Sequence, residues 1–559
     1  MKRETKLILT SGILLFLINF FLRPEEELKM TWPTFGAFIT TLLIMGALAF
    51  FWKKSFEGTG YCLMSAAVLA LIQLTCQLKT RGYDNISLQT LGKCSILLGI
   101  ALLLGILILT GRRVITEREI YFVIVAAVLM RFFYAVTTQA NYFQNDIGFF
   151  GEQSSGHLGY IYQIYATGRL PNVNPIDNGQ FYHPPLHHAL SAILIKICVL
   201  LGLNVASGDE YMQMLSIFYG VVTLVYIDKL AKQLKLSEYG RFIVAVLAGF
   251  FPYGIMLHTA LNNDPLVTML MIMALYYTLK WYEKPCFKSI IAMAVCIGCA
   301  MMTKLSGALI APAMAVPMLA KAWQMRKQWK SIFCQFLCFG CIAFPLGLWH
   351  SVLQNLKYGM PLGYVLQLPL DLTQSLVDFT TRDRFLNFSG AFDSLIVSWN
   401  RFGDYIEYNI FMAIWKFSTF GETFFYSINP VIQLVSTILF AGIGLLFILL
   451  IISGIWYLFS KKEPLMPKVL LLGSMAIIGI MYLKFCIDYP FVCTMNVRYI
   501  MVALFTGILL VGKLLSNPGA WLHTVKTGKL LYYGIINIGL LLYVISTVLM
   551  YWNMEMIVY

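Results

Sequence analysis

The chain is 559 residues long, 59% hydrophobic and only 12% charged. A soluble domain carries roughly 25% charged residues, so a water-soluble enzyme, a disordered protein and a coiled coil are all excluded. The 41 Lys and Arg against 27 Asp and Glu give a net charge of +14, which in a chain this apolar reads as cytoplasmic loops that hold its orientation and not as a nucleic-acid surface.

Met1 to Leu22 joins a basic start to an apolar run, with no small-residue cleavage site before Arg23-Pro24-Glu25, and predicts a retained first helix. At about 20 apolar residues per span, helices follow near 33–52, 60–76, 92–110, 119–137, 211–231, 241–258, 265–281, 289–303, 305–320, 333–350, 430–459, 468–487, 498–515 and 531–551. The expected architecture is an all-α polytopic membrane protein of about fifteen spans. The basic clusters Lys53-Lys54, Arg112-Arg113-Arg118, Lys229 to Arg241, Lys280-Lys284-Lys288, Lys321 to Lys330, Lys461-Lys462-Lys468 and Lys526-Lys529 fall on alternate loops if the N-terminus is cytoplasmic. Lys79 and Arg81 depart from that pattern. The same parity puts the loops 138–210 and 351–429 outside, with the turns at Leu261 to Pro265 and 488–497. The segment 185–203 is apolar enough to span, but spanning would invert every later basic loop. It is therefore expected to be a re-entrant or surface-lying helix entered from Pro184-Pro185.

Loops on a rigid scaffold carry function, so chemistry is expected in the two long outer loops. In the first, Leu158, Ile161, Ile164 and Tyr165 recur at helical spacing from His157 to Thr167, an amphipathic interfacial helix that Gly168 ends. Asp146 is the residue to single out, a carboxylate near the membrane surface able to act as general base if partial burial lifts its affinity for protons. A helix cap or a solvated loop acid fits it as well, and Glu152 and Asp177 share the ambiguity. His183 and His187 have the i, i+4 spacing of a zinc face, but no Glu lies between them at the catalytic position, and no metal is expected. Asp264, in Leu-Asn-Asn-Asp-Pro, opens a span from the outer side, either as a cap or as the second acid of a two-acid site. Lys304 interrupts an apolar stretch and needs a partner, a wet cavity or a snorkelling path to the interface, because Lys in hydrocarbon costs about 2.5–3.5 kcal/mol. Arg498, in Asn-Val-Arg-Tyr, begins a span where a cation can hold a phosphate or lipid headgroups. Cys296, Cys299, Cys334, Cys338 and Cys341 lie in apolar runs and read as packing residues, while Cys486 and Cys493 flank one short loop within pairing reach.

Asp146, His157, Tyr182-His183-Pro184-Pro185, Asn263-Asp264, Thr303-Lys304-Leu305-Ser306-Gly307 and Arg498-Tyr499, in that order, resemble the protein O-mannosyltransferases and their bacterial relatives, including the aminoarabinose transferases of the GT-C superfamily. The resemblance covers 119–551. It divides the chain into an N-terminal transmembrane extension (1–118), a glycosyltransferase core (119–551) and a short outer tail (552–559). It implies a metal-independent enzyme without cofactor that moves a sugar from a polyprenyl-phosphate carrier to a glycan, lipid-linked or wall-polymer acceptor on the outer face, with inversion. Partners are then membrane lipids, donor and acceptor, with no nucleic acid, and the expected location is a bacterial plasma membrane. Asp146 would be the base, with Glu152 in reserve, Asp264 the second acid, and Lys304 and Arg498 the phosphate ligands. His157, Tyr182, His183 and Tyr499 would complete the substrate site. Two positions depart from the family: Ser154-Ser155 stand where the mannosyltransferases carry an Asp-Glu pair, and Gln213 stands where the eukaryotic enzymes carry an Arg. A transporter or flippase of lipid-linked sugars is the alternative, though the hydropathy pattern shows no internal repeat and the polar residues crowd one face.

Overall fold

The computed structural model describes residues 115–138, 140, 146, 148, 155–200, 204–205, 208–399, 405–421, 430–516 and 526–552. The four spans expected between 6 and 110, Glu152 and the tail after 552 lie outside the described residues. Every named element among the described residues is a helix, and an isolated bridge joins Ser375 to Phe491. Seven of its helices are long and apolar enough to cross a membrane, and the chain is a polytopic membrane protein.

Helix α1 (Glu117–Thr137) is locked at its start by ion pairs, Glu117 to Lys232 at 3.0 Å and to Arg241 at 3.2 Å. Arg241 also holds the buried Asp228 at 2.8 Å, so charges at that end of the bundle are paired and not left in hydrocarbon. The amphipathic helix α2 (His157–Thr167) has the predicted limits, and Gly168 ends it at φ 65°, where a residue without Cβ is unstrained. Helix α3 (Leu186–Leu200) follows Pro184-Pro185. Its described part is 15 residues long, and 201–203, the end of the expected 185–203 segment, lie outside the described residues. Helix α4 (Gly208–Gln233) is buried along almost its whole length and packs on α1 and α3.

The expected span 241–258 is two helices, α5 (Glu238–Gly249) and α6 (Pro252–Leu257). Pro252 has no backbone N–H to donate and forces Phe251 to an extended backbone, ψ 118°, so the helix must break there. The freed carbonyl of Gly249 accepts from Arg131 Nη1 at 2.7 Å. Arg131 is fully buried on α1, also donates to the carbonyl of Ala127 at 2.9 Å, and meets the His258 ring at 3.1 Å. The cation thus supplies a donor to a carbonyl that the break leaves without its helical partner.

Helices α7 (Asp264–Glu283) and α8 (Phe287–Thr303) pack on each other, and α7 also lies against α4. The expected span 305–320 is present as Leu305–Gln324, though its first part is not α-helical. A 3-10 segment, Leu305–Ile310, runs directly into α9 (Ala311–Gln324), and Lys304, extended at φ −159° and ψ 129°, separates α8 from it. The long α10 (Trp329–Tyr358) packs on α8 and shows Phe333, Leu337 and Phe344 on its open face, as lipid contact requires. A short α11 (Thr381–Leu386) and α12 (Ile410–Phe420) lie in the second long loop. There the fully buried Lys416 and Glu407 pair with each other, and Tyr405 Oη donates to Glu407 at 2.7 Å. Helices α13 (Pro430–Phe459), α14 (Leu465–Asp488), α15 (Met501–Leu515) and α16 (Lys526–Trp552) complete the bundle. Cys486 and Cys493 do not pair: both are free, and the Cys486 thiol lies 3.4 Å from the Thr494 carbonyl.

Candidate active site

A cavity of about 520 Å³ opens where the two long loops meet the ends of α7, α8, α14 and α15. The segments that line it are far apart in sequence and each is fixed by local hydrogen bonds. Asn262 accepts from the Asp264 N–H through Oδ1 at 3.1 Å, and Asn263 donates to the Thr303 carbonyl at 3.2 Å. The start of α7 is thereby tied to the end of α8, and Asp264 and Lys304 are left side by side. Asn496 caps the next turn by accepting from the Arg498 N–H at 2.9 Å, and Tyr482 Oη donates to the Met495 carbonyl at 2.6 Å. Asp146 is in the left-handed region at φ 60°, which Asp tolerates better than most residues, and its carbonyl accepts from the His157 N–H at 3.0 Å.

These constraints bring four charges into one cluster. Lys304 Nζ donates to Asp264 Oδ1 at 2.5 Å, Arg498 Nη2 meets Asp146 Oδ2 at 2.7 Å, and Arg498 Nε lies 3.6 Å from Asp264 Oδ2. One guanidinium therefore bridges the two acids. Arg498 and Lys304 also sit over the Tyr499 ring, at 4.9 and 5.0 Å. Asp264 and Arg498 are buried, whereas the Asp146 side chain is 36% exposed. Asp146, Asp264, Lys304, Arg498, Tyr499, Tyr182 and His183 all line the cavity.

His157 does not line it. It lies behind His183, ring on ring at 5.3 Å, and its Nδ1 is 2.8 Å from His188 Nε2. Burial pushes the His157 imidazole down to about 3 against the favourable pull of Asp146, and burial beside His157 also holds His183 well below the usual range. Both rings are neutral supports for the loop wall. His187 turns away from any shared metal with His183, and Nε2–H donates to the Leu261 carbonyl at 2.9 Å. Among the described residues, no three His, Cys, Asp or Glu side chains converge as metal ligands.

The histidine wall has a testable pH signature. Folded His157 releases its proton near 3, whereas the unfolded chain binds one below about 6.5. Between those values the unfolded state holds more protons, so the stability present above about 6.5 is lost as pH falls, by about 1.4 kcal/mol per unit for each such ring. The thermal midpoint in detergent should fall between pH 7 and 5, and His157→Phe should flatten that slope; a slope unchanged by the substitution would place the titration elsewhere.

Lys304 reaches Asp264 because the turn after it folds tightly onto α8. Gly307 donates its N–H to the Lys304 carbonyl at 2.8 Å. A Cβ at 307 would stand 2.6 Å from the Ala300 carbonyl carbon, a backbone atom that cannot rotate aside. Gly307→Ala should cost about 1–3 kcal/mol through overpacking and shift Lys304. A differential-scanning measurement showing no loss of stability would contradict this packing.

Other lining residues carry no signal in the sequence that would have singled them out. The strap after α10 supplies Met360, Leu362, Tyr364 and Gln374, and the loop before α12 supplies Trp399. The strap is stitched to the turn that carries Arg498: Val492 N–H donates to the Gln374 carbonyl at 3.0 Å, and Cys493 N–H to Gln374 Oε1 at 3.1 Å. No charge or metal-ligand pattern marks these residues; only the proline and glycine of Met360-Pro361-Leu362-Gly363 hint at an ordered strap.

Residues 182–349 match the family model of dolichyl-phosphate-mannose-protein mannosyltransferases. The chain is therefore similar, over that stretch, to the family its ordered residues resemble. No curated relative matches the sequence. Among solved structures, ArnT from Cupriavidus metallidurans bound to undecaprenyl phosphate is 13% identical with a TM-score of 0.44, covering 78% of this chain and 76% of its own. An oligosaccharyltransferase from Archaeoglobus fulgidus, in complex with Zn and sulfate, is 13% identical with a TM-score of 0.43, covering 77% of this chain and 53% of its own.

Proposed function

We propose that the chain is a membrane-embedded glycosyltransferase that moves a sugar from a polyprenyl-phosphate carrier to an acceptor hydroxyl. The observation that carries this reading is the change of wall within one cavity. At one level stand two cations and two acids; along α7 and α14 the lining then becomes Val267, Met271, Ile478, Met481 and Phe485. Such a surface suits an amphiphile with an anionic head and an apolar tail. The match of 182–349 to a family named for dolichyl-phosphate-mannose points the same way.

In the proposed reaction Lys304 and Arg498 hold the carrier phosphate, and the acceptor oxygen attacks the anomeric carbon from the opposite side. Asp146 takes the hydroxyl proton as the new C–O bond forms. The bond from the anomeric carbon to the phosphate oxygen breaks, the electron pair leaves with the carrier phosphate, and the configuration inverts. Lys304 and Arg498 meet the charge that develops on the departing phosphate, so the chemistry is proposed to be metal-independent. Asp264 holds both cations in place. The alternation of basic clusters along the sequence supports an outer-face position for this site.

The test is sugar release from radiolabelled polyprenyl-phosphate sugars by the purified protein, with Asp146→Asn and with EDTA as separate arms. Carrier-dependent transfer that is lost in Asp146→Asn and indifferent to EDTA supports the reading. Carrier binding without turnover of any donor would make the chain a transporter of lipid-linked sugars instead.

A further inference from the structure

The charged lining residues of the cavity, Asp146, Asp264, Lys304 and Arg498, are gathered in the cluster already described. The loop-built part of the lining differs in kind: the wall of Gln180, Tyr182, Tyr364, Gln374, Trp399 and Tyr489 brings aromatic faces and amides without a charge. Ring contacts and hydrogen bonds tie parts of this wall together. Tyr182 meets Tyr364 edge to face at 5.5 Å, and Gln367 Nε2 donates to Tyr489 Oη at 3.3 Å. Gln180 is 6% exposed and its Oε1 is buried without a hydrogen-bond partner. A buried carbonyl oxygen in that state lacks a donor, and its residue lines the cavity, where a ligand hydroxyl can supply one.

We infer that this wall is the acceptor subsite and that it takes an uncharged sugar ring, so that the acceptor is a neutral glycan or glycolipid headgroup. The inference rests on the transferase reading and deepens it. Aromatic faces pack on the apolar C–H faces of a pyranose, and the amides of Gln180 and Gln374 suit its hydroxyls. A carboxylated or phosphorylated ring would lose its water here to a wall that offers no cation, and the desolvation would go uncompensated. The cations of the inner cluster are already committed to Asp146, Asp264 and, in turnover, the carrier phosphate.

The experiment uses the full chain in lipid nanodiscs, with a polyprenyl-phosphate hexose as donor and two matched acceptors, butyl β-glucoside and butyl β-glucuronide. Transfer to the glucoside should exceed transfer to the glucuronide by about tenfold or more in kcat/KM. Tyr364→Ala should raise the acceptor KM by about tenfold, while Tyr364→Phe, which keeps the ring, should restore it to within about threefold. Equal use of the two acceptors, transfer to neither while carrier phosphate is still released, or a Phe variant as impaired as the Ala variant overturns the subsite alone. Failure to release carrier phosphate from any donor overturns the transferase reading beneath it.

Discussion

Asp146→Asn should lower sugar transfer by about 10²- to 10⁴-fold, the usual contribution of a positioned general base, without weakening the carrier. The two halves of that expectation have different causes. The amide cannot take the acceptor proton, so the loss falls on kcat. Binding behaves otherwise, because Asp146 Oδ2 occupies Arg498 Nη2 at 2.7 Å, where an incoming phosphate needs a donor. A neutral side chain at 146 leaves that guanidinium freer, so the apparent KM for the carrier should hold or fall. Single-turnover kinetics at saturating and limiting donor separate the two effects. A drop of less than about tenfold would take the base role from Asp146 and give it to Asp264 or Glu152. A rise in carrier KM with kcat preserved would make Asp146 a binding residue. Isosteric Asn is the right probe, since it keeps the side-chain volume and the backbone carbonyl that accepts from His157 N–H.

How far the sequence foretold this arrangement depended on whether a residue left a chemical mark. Lys304 did, as a cation interrupting an apolar stretch; physics demanded a partner or a wet site, and Asp264 supplies the partner 2.5 Å away. Arg131 carries the same mark on α1, and by the same physics it needs the polar partners that the broken α5–α6 junction provides. The break at Pro252 was missed in the span read at 241–258, because the apolar run around it is continuous and hydropathy counts side chains and not backbone donors. Helix α2 was readable to the residue, because period and stop signal agreed at Gly168. The convergence of Asp146 and Asp264 on one guanidinium was not readable. It depends on a left-handed backbone at 146 and on side-chain hydrogen bonds between segments 40 residues apart, Asn263 to Thr303. The uncharged wall at Tyr364 and Trp399 left no mark, because neutral aromatics are common in any membrane protein.

Lys304→Met should destabilise the fold by about 3 kcal/mol, the lower end of what breaking a buried ion pair costs, and should abolish transfer. The magnitude reflects what remains around Asp264. That carboxylate is 5% exposed and loses its 2.5 Å partner, but Arg498 Nε stays within 3.6 Å and shields part of the charge. Stability and activity should then come apart in the second variant. Lys304→Met combined with Asp264→Leu removes both members of the pair, so no uncompensated buried charge is left, and most of the lost stability should return. Activity should not return with it, because neither apolar side chain can meet the charge that develops on a departing phosphate. Thermal midpoints in detergent, read against carrier-phosphate release, check both halves. A double variant as unstable as Lys304→Met would show that Lys304 acts on the fold through its contact over Tyr499 and not through Asp264. A double variant that regains turnover would remove Lys304 from the phosphate site and leave Arg498 as the cation that must carry the reaction.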